Sequence, residues 1–415
     1  MAELTFWQFP VSLILALVFV AGIFIIWKYL PEGRLRKCLS GRGLGIIAMA
    51  VICILTAVEG TTGWPLHRNP VFWAFAILMM LSLGFAVLDR ARSGKDLAGK
   101  ISHLGMFLLI FGAFWGAPDV VDVQMAATGQ PEHIAYSRNG KAVTLPFDVA
   151  LEEFRTEYYE DGASPKQYIS TIVLSDSEKT RTTSVNHPCL HKGWFIYQSD
   201  FDHENGAYSV LKLVRDPWLP LICLGLLLLV AGAFIGMRMD WKSRLVWPAL
   251  GILAILFTIL SVARINFGTL MPALRSVWFI PHLAMYMLAY SALALALMSA
   301  VPAVCGVHPE KLNPLTDKLF STASSLLLVG MACGAIWAKL AWGDWWTWDA
   351  KECWAAVTWL LTLCGTHLPA TMRNKKMNIS VVTLIFIILA FLAMQVAWYG
   401  VEWLPAAQTS MHAYK

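Results

Sequence analysis

The chain has 415 residues, 57% of them hydrophobic and only 14% charged, with a mean hydropathy of +0.58. An ordinary soluble domain carries about 25% charged residues, so the composition argues against a disordered chain and against a nucleic-acid-binding protein. The net charge of +5 is modest, and where the positive residues fall matters more than their sum.

A spanning helix needs about 20 mostly apolar residues. Ten such stretches occur in chain order, at 10–28, 44–62, 71–89, 102–118, 217–237, 245–264, 281–302, 319–340, 352–370 and 378–398. The first lacks a basic start and runs into Trp27, Lys28 and Tyr29. It therefore reads as an anchored span rather than a cleaved signal peptide. The loops at 28–43, 90–101, 237–245, 303–318 and 371–377 hold 17 Lys and Arg residues, whereas the short connections on the other side hold Arg68, Arg264, Arg275, Lys351 and Lys415. The positive-inside rule makes the first set cytoplasmic and puts both termini outside.

Between the fourth and fifth spans lies the one long connection, 119–216, on the outer side. It alternates apolar and polar residues over Tyr168–Leu174 and Trp194–Gln198, with turn signals at Asn139-Gly140, Asp161-Gly162 and Asn205-Gly206. The pattern predicts a small domain of β-hairpins. The expected fold is thus an all-α polytopic membrane protein of about ten transmembrane helices, with one small extracytoplasmic β-rich domain. Its divisions are 1–118, 119–216, 217–240 and 241–415.

None of the eight cysteines forms a CxxC pair. That removes a thioredoxin-like site, a zinc knuckle and covalent haem attachment to this chain itself. Tryptophan is the compositional outlier: of 19, six fall between 342 and 359, at Trp342, Trp345, Trp346, Trp348, Trp354 and Trp359. An aromatic belt scatters rings over many helix ends. Six indoles in one outer segment, interrupted by Gly343, Asp344 and Asp349, predict instead a flat apolar platform with polar edges for a large planar ligand. Asp349, with Glu352 three positions on, also has the form of a capping box that starts the next helix.

This segment, Trp342-Gly-Asp-Trp-Trp-Thr-Trp-Asp349 followed by Ala-Lys-Glu, resembles the WWD domain of haem-handling proteins, and its surroundings resemble the CcsA half of system II cytochrome c assembly. Residues 100–215 are similar to the ResB-like CcsB partner. They carry His-Leu-Gly-Met-Phe from 103, Leu-Pro-Phe from 145, Tyr-Tyr-Glu-Asp-Gly from 158, Pro-Lys-Gln-Tyr from 165, Asn-His-Pro from 186 and Gly-Trp-Phe-Ile-Tyr-Gln-Ser from 193. The chain therefore resembles a CcsB–CcsA fusion over nearly its whole length. It departs in having Ala350 where the family usually has proline, and in a shorter outer domain.

Topology sorts the histidines by depth. His282 opens a span at its outer end and His412 follows the last span, so both share the side of the tryptophans. His103 and His367 lie toward the cytoplasmic ends of their spans, where an ionisable group is by default a functional candidate. In the resembling family an inner transmembrane pair and an outer pair flanking the WWD segment ligate haem iron, and His103 with His367, and His282 with His412, match those positions. His67, His133, His187, His191 and His203 are read as surface residues without such a role. Lys351, Arg275 and Arg264 are candidates for the haem propionates by side and charge.

The resemblance implies a holocytochrome c synthase of the bacterial cytoplasmic membrane. Haem b, both substrate and bound ligand, is carried outward and its vinyl groups are joined to the CxxCH thiols of an apocytochrome c, which thiol-reducing proteins deliver. The catalytic set is His282, His412, Trp342, Trp345, Trp346, Trp348 and Asp349; haem contacts add His103, His367 and Trp354. Two other readings share these residues: a haem exporter without synthase activity, and a two-haem b-type electron carrier.

Overall fold

In the computed structural model the described residues are 8–31, 33–39, 42–92, 96–175, 180–237, 246–262, 267–372 and 379–409. Eleven helices occur among them: α1 Val11–Tyr29, the short α2 Arg34–Leu39, α3 Arg42–Thr62, α4 Pro70–Arg92, α5 Leu97–Gly116, α6 Leu219–Gly236, α7 Val246–Val262, α8 Phe279–Val304, α9 Pro309–Trp342, α10 Ala350–Met372 and α11 Ile379–Gln395. Eight are long and apolar enough to cross a membrane; of the other long ones, α7 falls short at 17 residues and α10 is less apolar. The protein is a multi-pass helical membrane protein with a sheet inserted between α5 and α6, as expected.

The eight strands are β1 Val121–Ala127, β2 Glu132–Ser137, β3 Ala142–Tyr158, β4 Pro165–Leu174, β5 Arg181–Ser184, β6 Cys189–His191, β7 Trp194–Phe201 and β8 Ser209–Arg215. They form one antiparallel sheet in the order β5-β4-β3-β2-β1-β8-β7-β6. Gly140, Gly162 and Gly206 take positive φ in the turns between paired strands, where the sequence placed hairpin turns. The sheet curls until its ends meet: the Thr183 hydroxyl on β5 donates to the Ile196 carbonyl on β7 at 2.7 Å, and the Ser170 hydroxyl on β4 donates to Gln198 on β7 at 2.6 Å. Val123, Phe147, Val149, Ile172, Ile196, Leu211 and Leu213 fill the interior.

Two helices hold this domain at its base. A Cβ added at Gly105 on α5 would lie 2.4 Å from the Leu229 nitrogen on α6, and one at Gly225 on α6 would lie 2.7 Å from the Leu109 nitrogen. The two backbones touch, as small residues allow between helices in lipid. Where α5 passes into the sheet, buried Asp119 accepts hydrogen bonds from the Phe9 amide (2.6 Å), the Ser12 hydroxyl (2.7 Å) and the Trp218 indole (2.6 Å), tying the start of α1 to the start of α6. Farther along, α3 packs against α10, so an N-terminal helix walls the C-terminal half.

Gly105→Val overpacks the α5–α6 contact and should cost about 1–3 kcal/mol or more, read as a lowered thermal unfolding midpoint in detergent. Gly22→Val, whose Cβ meets nothing within 4 Å, should leave the midpoint unchanged.

Candidate functional site

Two groups of residues meet at opposite ends of the bundle. At the end away from the sheet, the His103 ring on α5 and the His367 ring on α10 lie 6.3 Å apart between centroids, with their planes at 61°. Each ring is fixed by its own helix. His103 Nδ1 bonds the Gly99 carbonyl at 2.6 Å, and His367 Nδ1 bonds the Leu363 carbonyl at 2.8 Å. With Nδ1–H donating to a carbonyl, Nε2 keeps its lone pair, which is the tautomer a metal requires. Metal–imidazole bonds run about 2 Å, so a centroid separation near 6 Å suits two rings that share one iron. The inner pair expected from depth is thus brought together.

At the sheet end, α9 stops at Trp342 because Gly343 takes φ +83° and returns its N–H to the Lys339 carbonyl at 3.1 Å. Two buried lysines fasten this turn. Lys339 Nζ donates to the Gly343 carbonyl at 2.8 Å. Lys212 Nζ, reaching from β8, donates to the Trp342 carbonyl at 2.9 Å and to Asp344 at 2.7 Å. Arg138 adds a contact to Asp344 at 3.3 Å. The Tyr197 ring packs on Gly343, and burial, with the carboxylates of Asp344, Asp122 and Asp216, holds its phenol well above the usual range.

The next helix begins as the spacing predicts. Asp349 Oδ1 accepts from the Glu352 amide at 2.9 Å, while Glu352 Oε2 accepts from the Thr347 amide at 2.7 Å and from the Asp349 amide at 3.4 Å. Asp349 is therefore the N-cap of α10.

The indoles do not form one flat platform. Trp342 leans toward Trp337, Phe279 and Leu274, whereas Trp348 and Trp354 pack with Phe72, Val357 and Leu360. Trp346 and Trp348 meet edge-on at 81°. Two left-handed residues, Gly343 at φ +83° just after Trp342 and Trp348 at φ +62°, turn the chain within the segment. Trp345 Nε1 and Trp354 Nε1 are buried with no hydrogen-bond partner among the described residues. Two orphan donors in one segment suit a ligand that carries acceptors.

His282 is part-buried between α8 and α9, its Nδ1 2.9 Å from the Gly330 carbonyl and its ring 5.9 Å from Trp337, which in turn lies 5.8 Å from Trp342. Trp337, which the sequence reading did not name, thus links His282 to the tryptophan segment. His412 and Arg264 lie outside the described residues. Arg275 faces the sheet domain, over the Tyr159 ring and 3.2 Å from the Lys166 carbonyl, and Lys351 sits half-buried in the first turn of α10.

His67, expected at the surface, is instead packed against the tryptophan segment. Its ring stacks on Trp348 at 4.7 Å and 6°, and both its Nδ1 and its amide are held by buried Glu59 of α3. The overlooked signal is Glu59 itself, a carboxylate at the end of an apolar span, which by cost alone marks a functional candidate.

A family model described as cytochrome C assembly protein matches residues 218–407, and a ResB-like family model matches residues 97–207. A cytochrome c biogenesis protein CcsA from Prochlorococcus marinus (strain MIT 9515) is 30% identical over 165 residues, covering 29% of this chain and 53% of that protein. One from Prochlorococcus marinus (strain AS9601) is 28% identical over 184 residues, covering 35% and 57%. One from Lolium perenne is 32% identical over 105 residues, covering 25% and 31%. The chain spans about half the length of the cyanobacterial relatives and less of the plant one.

Lys212→Met removes the ammonium bonds to the Trp342 carbonyl and to Asp344, which keeps only the exposed Arg138, and should lower stability by about 1–3 kcal/mol. Adding Asp344→Leu should recover part of it, and the coupling is read from a double-mutant cycle of unfolding midpoints.

Proposed function

Because the chain joins a ResB-like domain to a cytochrome c assembly domain, we propose that it matures c-type cytochromes by moving haem across the membrane and attaching it to apocytochrome c. The observation that carries this reading is the His103–His367 pair. One imidazole comes from the ResB-like match and the other from the assembly match, so a metal ligand set is complete only when both domains are present.

Haem b is the substrate here, held first by His103 and His367 and then at the sheet end by His282 and His412 against Trp342, Trp345, Trp346, Trp348 and Trp354. The orphan indole N–H groups of Trp345 and Trp354 would serve acceptors on the bound molecule. The bond formed is a thioether between each haem vinyl group and a thiol of the CxxCH motif. The substrate brings both thiols and its own histidine, so the protein supplies orientation, which alone can lower a barrier by roughly 7–11 kcal/mol. The sheet end is the extracytoplasmic end in this reading, on a bacterial cytoplasmic membrane with both termini outside. Thiol-reducing proteins deliver the apocytochrome.

Purified protein should carry haem by pyridine haemochrome assay. His103→Ala and His367→Ala should each lose most of it, whereas His282→Ala and His412→Ala should keep inner-site haem and make no holocytochrome. Unchanged haem spectra in all four variants would overturn the assignment. Co-expression with one c-type cytochrome in a host lacking other assembly factors separates a synthase, which yields covalent haem, from an exporter, which does not.

A further inference from the structure

At the sheet end, a cavity of about 220 Å³ is lined by Glu59, His67, Thr347, Trp348, Asp349 and Ala406, among others. It is too small for a porphyrin but admits a cysteine side chain or the edge of a planar ligand. The histidine in its wall is held on three sides. Its Nδ1–H donates to Glu59 Oε1, its amide donates to Glu59 Oε2 at 2.9 Å, and its ring lies flat on Trp348. Glu59 is 4% exposed and bonded to His67 through both its ring and its amide, which favours one ring orientation with Nδ1–H toward the carboxylate. What remains is Nε2, with its lone pair and no partner among the described residues. A base oriented by a buried carboxylate, with its imidazole in the wall of a cavity, is the arrangement of a proton-transfer catalyst.

We propose that His67 is the acid–base catalyst of thiol addition and Glu59 its positioning residue, an inference that rests on the function proposed above. His67 Nε2 takes the proton of a substrate cysteine thiol. The thiolate sulfur bonds one vinyl carbon as the C=C π bond breaks, and the imidazolium returns the proton to the other vinyl carbon. One S–H and one π bond are lost, one C–S and one C–H are gained, and no oxidant or reductant is consumed. The other titratable group lining the cavity is Asp349, from the loop before α10; Arg68 follows His67 on its own turn, while Gly63, Pro65 and Ala406 bring no charge.

The test uses full-length, haem-loaded protein and a CxxCH peptide. His67→Gln should keep the haem content and lose about 10²–10⁴-fold in the rate of thioether formation. Glu59→Gln should lower kcat with KM for the peptide unchanged, since the carboxylate orients the imidazole. Independently of haem, His67→Cys should form a mixed disulfide with the peptide under a mild oxidant, mapped by mass spectrometry, in larger yield than exposed His133→Cys. A His67→Gln variant with the wild-type rate overturns the catalyst, as does equal disulfide yield at the two positions. A wild-type protein that makes no thioether at all overturns the function proposed above and this step with it.

Discussion

Lys212 leaves β8 with only 8% of its side chain exposed, and a charge so placed costs several kcal/mol unless partners compensate it. Besides Asp122 of the neighbouring strand, 3.5 Å away, the partners come from the other domain: the Trp342 carbonyl and the Asp344 carboxylate. Alternation along β8 explains why. Leu211 and Leu213 face the curled sheet's interior, so Lys212 and Val214 face the opposite way, and both are buried as well. A strand covered on both faces means that the sheet is seated on the helices rather than tethered to them. The cation in that second face helps fix where it sits, because the turn after α9 offers its two hydrogen-bond acceptors, while Asp122 of β1 lies 3.5 Å away as an ion-pair partner. Lys339, buried at the end of α9 and bonded to the Gly343 carbonyl, closes the same turn from the helix side.

That seat sets both flanks of the tryptophan segment. The sheet also holds the chain leading into α8: Asn186 donates to the Pro272 carbonyl at 2.9 Å, and the Tyr159 hydroxyl donates to the Leu270 carbonyl at 2.9 Å. Trp337 donates to the Ala273 carbonyl at 2.9 Å from beneath. His282 and Trp342 thus hang from segments that the same sheet grips, which gives the inserted domain a positioning role toward the C-terminal half. At the far end the division of labour repeats, with one imidazole from α5 and one from α10.

How much of this the sequence revealed follows the range of the interactions. Apolar runs and hairpin turns are local, so the spans, the strands around Tyr168–Leu174 and Trp194–Gln198, and the glycine turns could be read directly. The capping box at Asp349 and Glu352 is local too. The inner histidines could be paired because helix rise converts sequence position into depth. His67 could not, since its meaning depends on α3 packing against α10, a contact between residues some 290 positions apart by the numbering. The same holds for Lys212 and Asp344, and for Asp119, whose three donors come from the beginning of the chain and from beyond the sheet. The flat platform failed for a different reason: composition counts rings but carries no backbone dihedral, and left-handed turns at Gly343 and Trp348 send the rings to different sides.

Trp348 shows how the site is built. A non-glycine side chain in the left-handed region costs about 1–3 kcal/mol and persists only where its surroundings over-determine it. Around Trp348 they do. The Thr347 and Asp349 amides on either side are both taken by Glu352, the Cys353 thiol donates to the Trp348 carbonyl at 3.4 Å, and the ring is fixed between His67 and an edge-on Phe72 at 5.3 Å. Relaxing the dihedral would break the helix cap and the stack on His67 together. The strain therefore stays where Trp348 forms a wall of the cavity, and the imidazole and the cavity it faces keep one fixed geometry.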